Sequence, residues 1–138
     1  MLASRKPHIL VVDDEPNVLQ LIRIFLEGDG FKVETASGGK QALEIITRPD
    51  VLVDILITDI LMPQMNGRDL ATRISSIKPY IKVLFISAYS ADVLIHYNLC
   101  PAGADYIKKP FTKLQLLERI GQVWTSSPQW KEIMARSA

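Results

Sequence analysis

Three carboxylates, a hydroxyl and an ammonium stand at the ends of four short apolar runs. HILVVDD stops on Asp13 and Asp14, DILITD on Asp59, KVLFIS on Ser87, and DYIKKP on Lys109. Gathered in one place, this set suits a hard divalent cation and a phosphoryl group. Mg²⁺ takes octahedral oxygen coordination and keeps waters and phosphate oxygens as ligands, so a few carboxylates suffice to hold it. Phosphoryl transfer asks a protein mainly to place an in-line nucleophile and to neutralise charge on the transferring oxygens. A carboxylate can be that nucleophile, giving an acyl phosphate. Three packed carboxylates would raise one another's pKa values, and a divalent ion removes the conflict. A lysine then adds fixed positive charge, and a serine a hydroxyl donor.

Each residue also has a plainer use. The triplet Asp13-Asp14-Glu15 before Pro16 could cap a helix, since carboxylates accept the free amides of a first turn. A lone Asp59 after a strand is an ordinary turn former, and Ser87 and Lys109 could be loop residues. Four such readings holding at once, each at a strand end, is the less economical account. Continuous Val, Ile and Leu runs separated by helical stretches read as parallel strands buried on both faces. In an open parallel sheet the ligand site lies beyond the carboxyl ends of the strands.

The elements that must position these residues alternate regularly. After the first strand, Pro16 sits where a first helical turn tolerates it. Val18, Leu19, Ile22, Phe25 and Leu26 then share a face until Gly28 and Gly30. Phe31 to Thr35 reads as a second strand. Ala42, Leu43, Ile45 and Ile46 mark a second helix ended by Pro49, and Asn66-Gly67 opens a third carrying Leu70, Ala71, Ile74 and Ile77. Ala91 to about Leu99 is the fourth, and Leu114, Leu117, Ile120 and Trp124 trace the fifth. The expected fold class is α/β: a doubly wound, five-stranded parallel sheet of order 2-1-3-4-5 with five helices. That order sets the first and third strands side by side and brings Asp13, Asp14 and Asp59 together.

The order and spacing of Asp13-Asp14, Asp59 with Met62-Pro63-Gln64-Met65-Asn66-Gly67, Ser87-Ala88, and Tyr106 with Lys109-Pro110-Phe111 resemble the receiver domain of two-component response regulators. The resemblance runs from about His8 to Val123 and implies a flavodoxin-like fold. It implies that Asp59 accepts a phosphoryl group from a histidine kinase or a histidine phosphotransfer protein. It implies that Asp13, Asp14, Asp59 and the backbone carbonyl of Leu61 hold Mg²⁺, and that Lys109 and Ser87 assist. Ser87 and Tyr106 would form the switch, changing the face made by the fourth helix, fifth strand and fifth helix for a downstream protein target. Such a chain is no enzyme beyond catalysing its own phosphorylation and dephosphorylation.

Departures from the family gather after Ser87. The stretch from Val93 to Pro101 is β-branched and broken by proline, so the fourth helix should be short or irregular, as in receivers joined to hybrid histidine kinases. Residues 1–125 are expected to form the receiver domain and 126–138 a C-terminal extension or linker, with a linker favoured. Two positions bear on the lifetime of an acyl phosphate: Leu61, two past Asp59, offers no hydrogen bond to an attacking water, and Tyr89, two past Ser87, brings a large ring.

Composition sets bounds. A chain of 138 residues with 48% hydrophobic and 22% charged residues is globular and the size of one domain. A net charge of +1 lacks the basic excess of a nucleic-acid surface. Cys100 is the sole cysteine, so no intrachain disulfide forms. The opening MLASRKPHIL lacks a signal-peptide core, and no apolar run reaches membrane-spanning length, so a cytoplasmic location without membrane insertion is expected. His8, His96 and Cys100 lack partners in metal or nucleophile spacing and are assigned nothing.

Two other classes fit parts of the pattern. A haloacid-dehalogenase-like phosphatase shares the strand-end Asp, Ser, Lys and Mg²⁺, yet wants a second acid two residues past the nucleophile, where this chain has Leu61. A receiver-like binding module that is never phosphorylated tends to lose the acidic pair or the lysine, and this chain keeps both.

Overall fold

The computed structural model describes residues 5–137. Residues 1–4, where the segment read for a signal peptide begins, and Ala138, the end of the extension, lie outside the described residues. The strands are β1 (Ile9–Val12), β2 (Val33–Ala36), β3 (Ile55–Asp59), β4 (Lys82–Ser87) and β5 (Asp105–Lys108). They form one parallel sheet of order β2-β1-β3-β4-β5, as expected. The helices are α1 (Pro16–Gly28), α2 (Gly39–Ile46), α3 (Gly67–Ile77), α4 (Ala91–His96), α5 (Lys113–Ser126) and α6 (Trp130–Ser137).

Alternation along the strands divides the core in two. Ile9, Val11, Ile55, Ile57, Leu84, Ile86 and Ile107 pack with Ile22 and Leu26 of α1 and with Leu116, Ile120 and Val123 of α5. Leu10, Val12, Leu56, Val83 and Phe85 face the other way, onto residues of α2, α3, α4 and α6. Every residue of β1 and β3 is buried, which is why their sequences read as unbroken apolar runs. Among the described residues, no helix is long and apolar enough to cross a membrane.

Three expectations need correction. The second strand begins at Val33 and ends at Ala36. The fourth helix stops at His96, short as its sequence implied: Asn98 takes a left-handed φ of 57°, and the amides of Leu99 and Cys100 both turn back to the carbonyl of Leu94. The described residues form six helices rather than five, because much of the segment favoured as a linker is α6. Trp130, Ile133 and Met134 repeat at helical spacing and pack into the α2/α3 cluster, with Trp130 fully buried.

Candidate functional site

β1 and β3 are hydrogen-bonded neighbours with Val12 opposite Thr58, so Asp13 and Asp59 leave the sheet side by side. Asp13, Asp59 and Lys109 each stand two residues past a member of the α1/α5 cluster, namely Val11, Ile57 and Ile107. Period-two alternation therefore directs all three side chains alike at the carboxyl edge. Lys109 arrives by a loop whose amide donates to the carbonyl of Ser87 at 2.7 Å, and the Lys109-Pro110 peptide is cis.

The Lys109 ammonium bridges the two carboxylates, with Nζ 3.0 Å from Asp13 Oδ2 and 3.0 Å from Asp59 Oδ2. Glu15 Oε1 lies 3.5 Å from the same nitrogen. Burial alone would lower the Lys109 pKa; its hydrogen bonds to Asp13 and Asp59 outweigh burial and raise it, so the charge is fixed. Asp13 is wholly buried, and burial pushes its carboxyl above the ordinary range. The Glu15 amide, which donates to Asp13 Oδ1 at 2.8 Å, and Lys109 pull it back only in part. Asp59 is also buried; the amide of Leu61 donates to its Oδ1 at 3.3 Å.

The plainer use of the acidic triplet is not what the structure shows. Glu15 occupies the N-cap of α1 without any side-chain cap, and Asp13 binds the Glu15 amide rather than the first turn of the helix. Asp14 is exposed and borders an open depression of about 540 Å³ lined by Ser37, Lys40, Gln41 and Gln64. One carboxylate oxygen each from Asp13, Asp14 and Asp59 falls within a 4.8 Å span. The donor set is all hard oxygen, and its carboxylates outnumber the one ammonium, so the residues fit a divalent cation such as Mg²⁺.

Ser87 is buried at the end of β4, and its hydroxyl oxygen accepts from the Tyr89 amide at 3.1 Å. Tyr106 sits on the neighbouring strand opposite Phe85, two register positions before the residue facing Ser87. Its side chain is half-buried against the α2/α3 cluster, and Arg119 donates to its carbonyl at 3.1 Å. Leu61 and Tyr89 flank the site with exposed side chains. The other residues singled out lie elsewhere. Cys100 is buried, with its thiol pushed up to about 11 by burial; His96 ends α4; His8 pairs with Glu34 at 3.0 Å near the opposite edge of the sheet.

Sequence reasoning missed three supporting residues. Glu15 approaches Lys109, which the acidic triplet hints at but does not distinguish from capping. Thr58 is buried beneath the site and donates from Oγ1 to the Asp59 carbonyl at 2.9 Å. Gly67, a helix opener and the end of the motif that follows Asp59, also donates its amide to the Ile60 carbonyl at 2.8 Å, tying α3 to the end of β3. The Met62-Met65 turn packs toward the α2/α3 cluster, with the Met65 side chain lying against Gly39.

A family model described as the response regulator receiver domain matches residues 9–121. Response regulator SaeR of Staphylococcus aureus is 32% identical over 118 residues, covering 86% of this chain and 50% of that protein. The chain thus spans about half the length of the curated relatives it matches. A response regulator receiver domain protein from Clostridium thermocellum superposes with a TM-score of 0.74 at 33% identity, covering 93% of this chain and 98% of that one. The response regulator TrrA from Thermotoga maritima, solved in complex with Mg²⁺-BeF, is 32% identical with a TM-score of 0.69, covering 85% and 98%.

Proposed function

We propose, from the premise that this chain belongs to the response regulator receiver domain family, that Asp59 is the residue through which its phosphoacceptor switch works. The observation that carries the assignment is the Lys109 ammonium held 3.0 Å from both Asp13 and Asp59. Of the acidic cluster, Asp59 is the one at the end of a central strand, with one oxygen toward Lys109 and the other toward the Leu61 amide.

In the reaction an Asp59 carboxylate oxygen forms a bond to phosphorus as the bond from phosphorus to the donor breaks, and the donor leaves with the bonding electrons. Lys109 stabilises charge on a phosphoryl oxygen, and the Ser87 hydroxyl, whose oxygen accepts from the Tyr89 amide, donates its O–H to another. Asp13, Asp14, Asp59 and the Leu61 carbonyl would hold Mg²⁺, which would add positive charge to that of Lys109 for the transferring oxygens. The donor is a phosphohistidine of a histidine kinase or phosphotransfer protein, with which a cytoplasmic setting agrees. The change is read by a protein partner at the α4-β5-α5 face. A population shift of this kind is limited to the difference in affinity between the two states.

Intact-mass analysis with acetyl phosphate tests the assignment. One phosphoryl group should add to the wild-type chain only with Mg²⁺ or a similar divalent ion, and none to Asp59→Asn. Equal uptake by the variant would refute it. The phosphatase reading has no support from position 61, where leucine stands in place of a second acid.

A further inference from the structure

Trp130, the first residue of α6, is fully buried and held three ways. Its amide donates to the Ile81 carbonyl at 2.9 Å, and its indole N–H donates to Thr72 Oγ1 at 3.2 Å. Its ring meets Phe85 edge to face, with centroids 5.3 Å apart at 80°. Phe85 lies two residues before Ser87 on the same face of β4 and directly opposite Tyr106 on β5. The residue that anchors α6 therefore touches the residue packed between the two members of the switch.

A second connection runs through α4. The Ser87 hydroxyl oxygen takes the Tyr89 amide, and the next residue, Ser90, caps α4 by accepting from the Val93 amide at a long 3.5 Å. Leu94 of that helix is buried in the same cluster as Trp130 and Ile133. α6 has eight residues, too few to persist as a helix without docking. At its last turn Arg136 lines a groove of about 270 Å³ with Arg68, whose guanidinium is held by Asn98.

We propose that α6 is a regulatory clamp, docked across the α3/α4 face of the unphosphorylated chain and loosened by phosphorylation of Asp59. The proposal rests on the phosphoacceptor reading above. Turning the Ser87 hydroxyl to donate to a phosphoryl oxygen moves the Oγ that accepts the Tyr89 amide, and with it the loop that caps α4. An inward turn of the Tyr106 ring presses on Phe85, and in a close-packed interior the Phe85–Trp130 contact must give. The docking equilibrium of α6 moves about tenfold toward the undocked form, within the usual range of coupling between sites. By linkage, whatever undocks α6 must tighten phosphoryl binding by the same factor. Undocking uncovers the socket of Trp130, built by Thr72 of α3 with Ile81 and Phe85, about tenfold more often in the phosphorylated chain.

Amide hydrogen exchange of the full chain in Mg²⁺, with and without saturating beryllofluoride, tests this, saturation being followed by ¹⁹F NMR of the bound fluoride. Protection of residues 130–137 should fall about tenfold while that of β1 and β3 is unchanged. In parallel, Trp130→Ala and Ile133→Ala, each removing a buried anchor and so undocking α6, should bind beryllofluoride severalfold, and at most about tenfold, more tightly than wild type. A saturated site with α6 protection changed less than threefold, or increased, overturns the clamp and leaves the phosphoacceptor reading standing. Failure of beryllofluoride to bind overturns both.

Discussion

Gly67 and Asp59 are packed backbone to backbone: a β-carbon at position 67 would stand 2.2 Å from the Asp59 carbonyl oxygen and 3.1 Å from the Ile60 α-carbon. The obstacle is main chain, which cannot swing aside as a flexible side chain could. The first turn of α3 is thereby pressed against the end of the strand that carries Asp59, the proposed acceptor.

Gly67→Ala should therefore displace the β3–α3 junction. The expected cost is about 2 kcal/mol of stability, the scale of overpacking a well-filled interior. Phosphorylation by acetyl phosphate should slow by roughly tenfold or more, since small misplacements of a nucleophile are costly. Urea unfolding and intact-mass time courses measure the two effects. A variant of wild-type stability and rate would show that the junction relaxes freely.

Asp13 makes the site a cost to folding when no cation is bound. Because burial raises its folded pKa, the folded chain binds more protons than the unfolded chain between about pH 4 and that raised value. This contribution falls as pH rises through the window and is a penalty at pH 7. Asp13→Asn should thus make the metal-free chain modestly more stable at pH 7, because burial of the charged carboxylate outweighs its hydrogen bonds. It should also abolish stabilisation by Mg²⁺, which for wild type reaches about 2.7 kcal/mol at a hundredfold excess over Kd. Urea midpoints at pH 5 and pH 7.5, with and without Mg²⁺, decide it; a destabilised Asp13→Asn would contradict the account.

Asp54 behaves with the opposite sign. Burial raises its pKa, but the bidentate Arg5 guanidinium at 2.7 and 2.8 Å and the His8 amide at 2.8 Å outweigh burial and hold it below the carboxylate range. Its stabilisation is complete above about pH 4 and is lost as pH falls through the lower folded value. Asp54→Ala leaves the buried His8 amide without its acceptor and should cost about 2 kcal/mol at pH 7. Urea midpoints of both chains should draw together as pH falls through the lowered folded pKa of Asp54. An undiminished gap below it would assign the cost to packing instead of charge.

The sheet and the candidate site were legible for one physical reason: strands buried on both faces admit almost nothing polar, so Asp13, Asp59, Ser87 and Lys109 stand out where the runs stop. α6 was not legible because Ser126, Ser127, Pro128 and Gln129 read as a linker, and its apolar stripe of Trp130, Ile133 and Met134 is too short for periodicity to be decisive. The partner of that stripe is also remote, Phe85 being 45 positions before Trp130 in the chain. Gly67 shows the same limit at the site. Its dipeptide signals a helix start, but its nearness to the Asp59 carbonyl is a tertiary fact that no local pattern records.

The lifetime of the phosphoryl group on Asp59, the proposed acceptor, depends on whether water can reach phosphorus in line with that bond. Leu61 and Tyr89 border that approach: the Leu61 amide is bonded to Asp59 itself and the Tyr89 amide to Ser87, and both side chains are exposed at the mouth of the site. Leucine has no group to orient a water, and the tyrosine ring is large enough to cover its path. Without a positioned nucleophile the hydrolytic step loses the advantage of orientation, so self-dephosphorylation should be slow and the phosphate should leave mainly by transfer back to a histidine or through a partner phosphatase. Replacing Leu61 by Asn and Tyr89 by Ala should speed phosphate loss by roughly tenfold, the gain expected if a water is held even moderately well. Intact-mass decay of the isolated phosphorylated chains in Mg²⁺ measures it. A double variant that decays no faster than wild type would place control of the water elsewhere in the site.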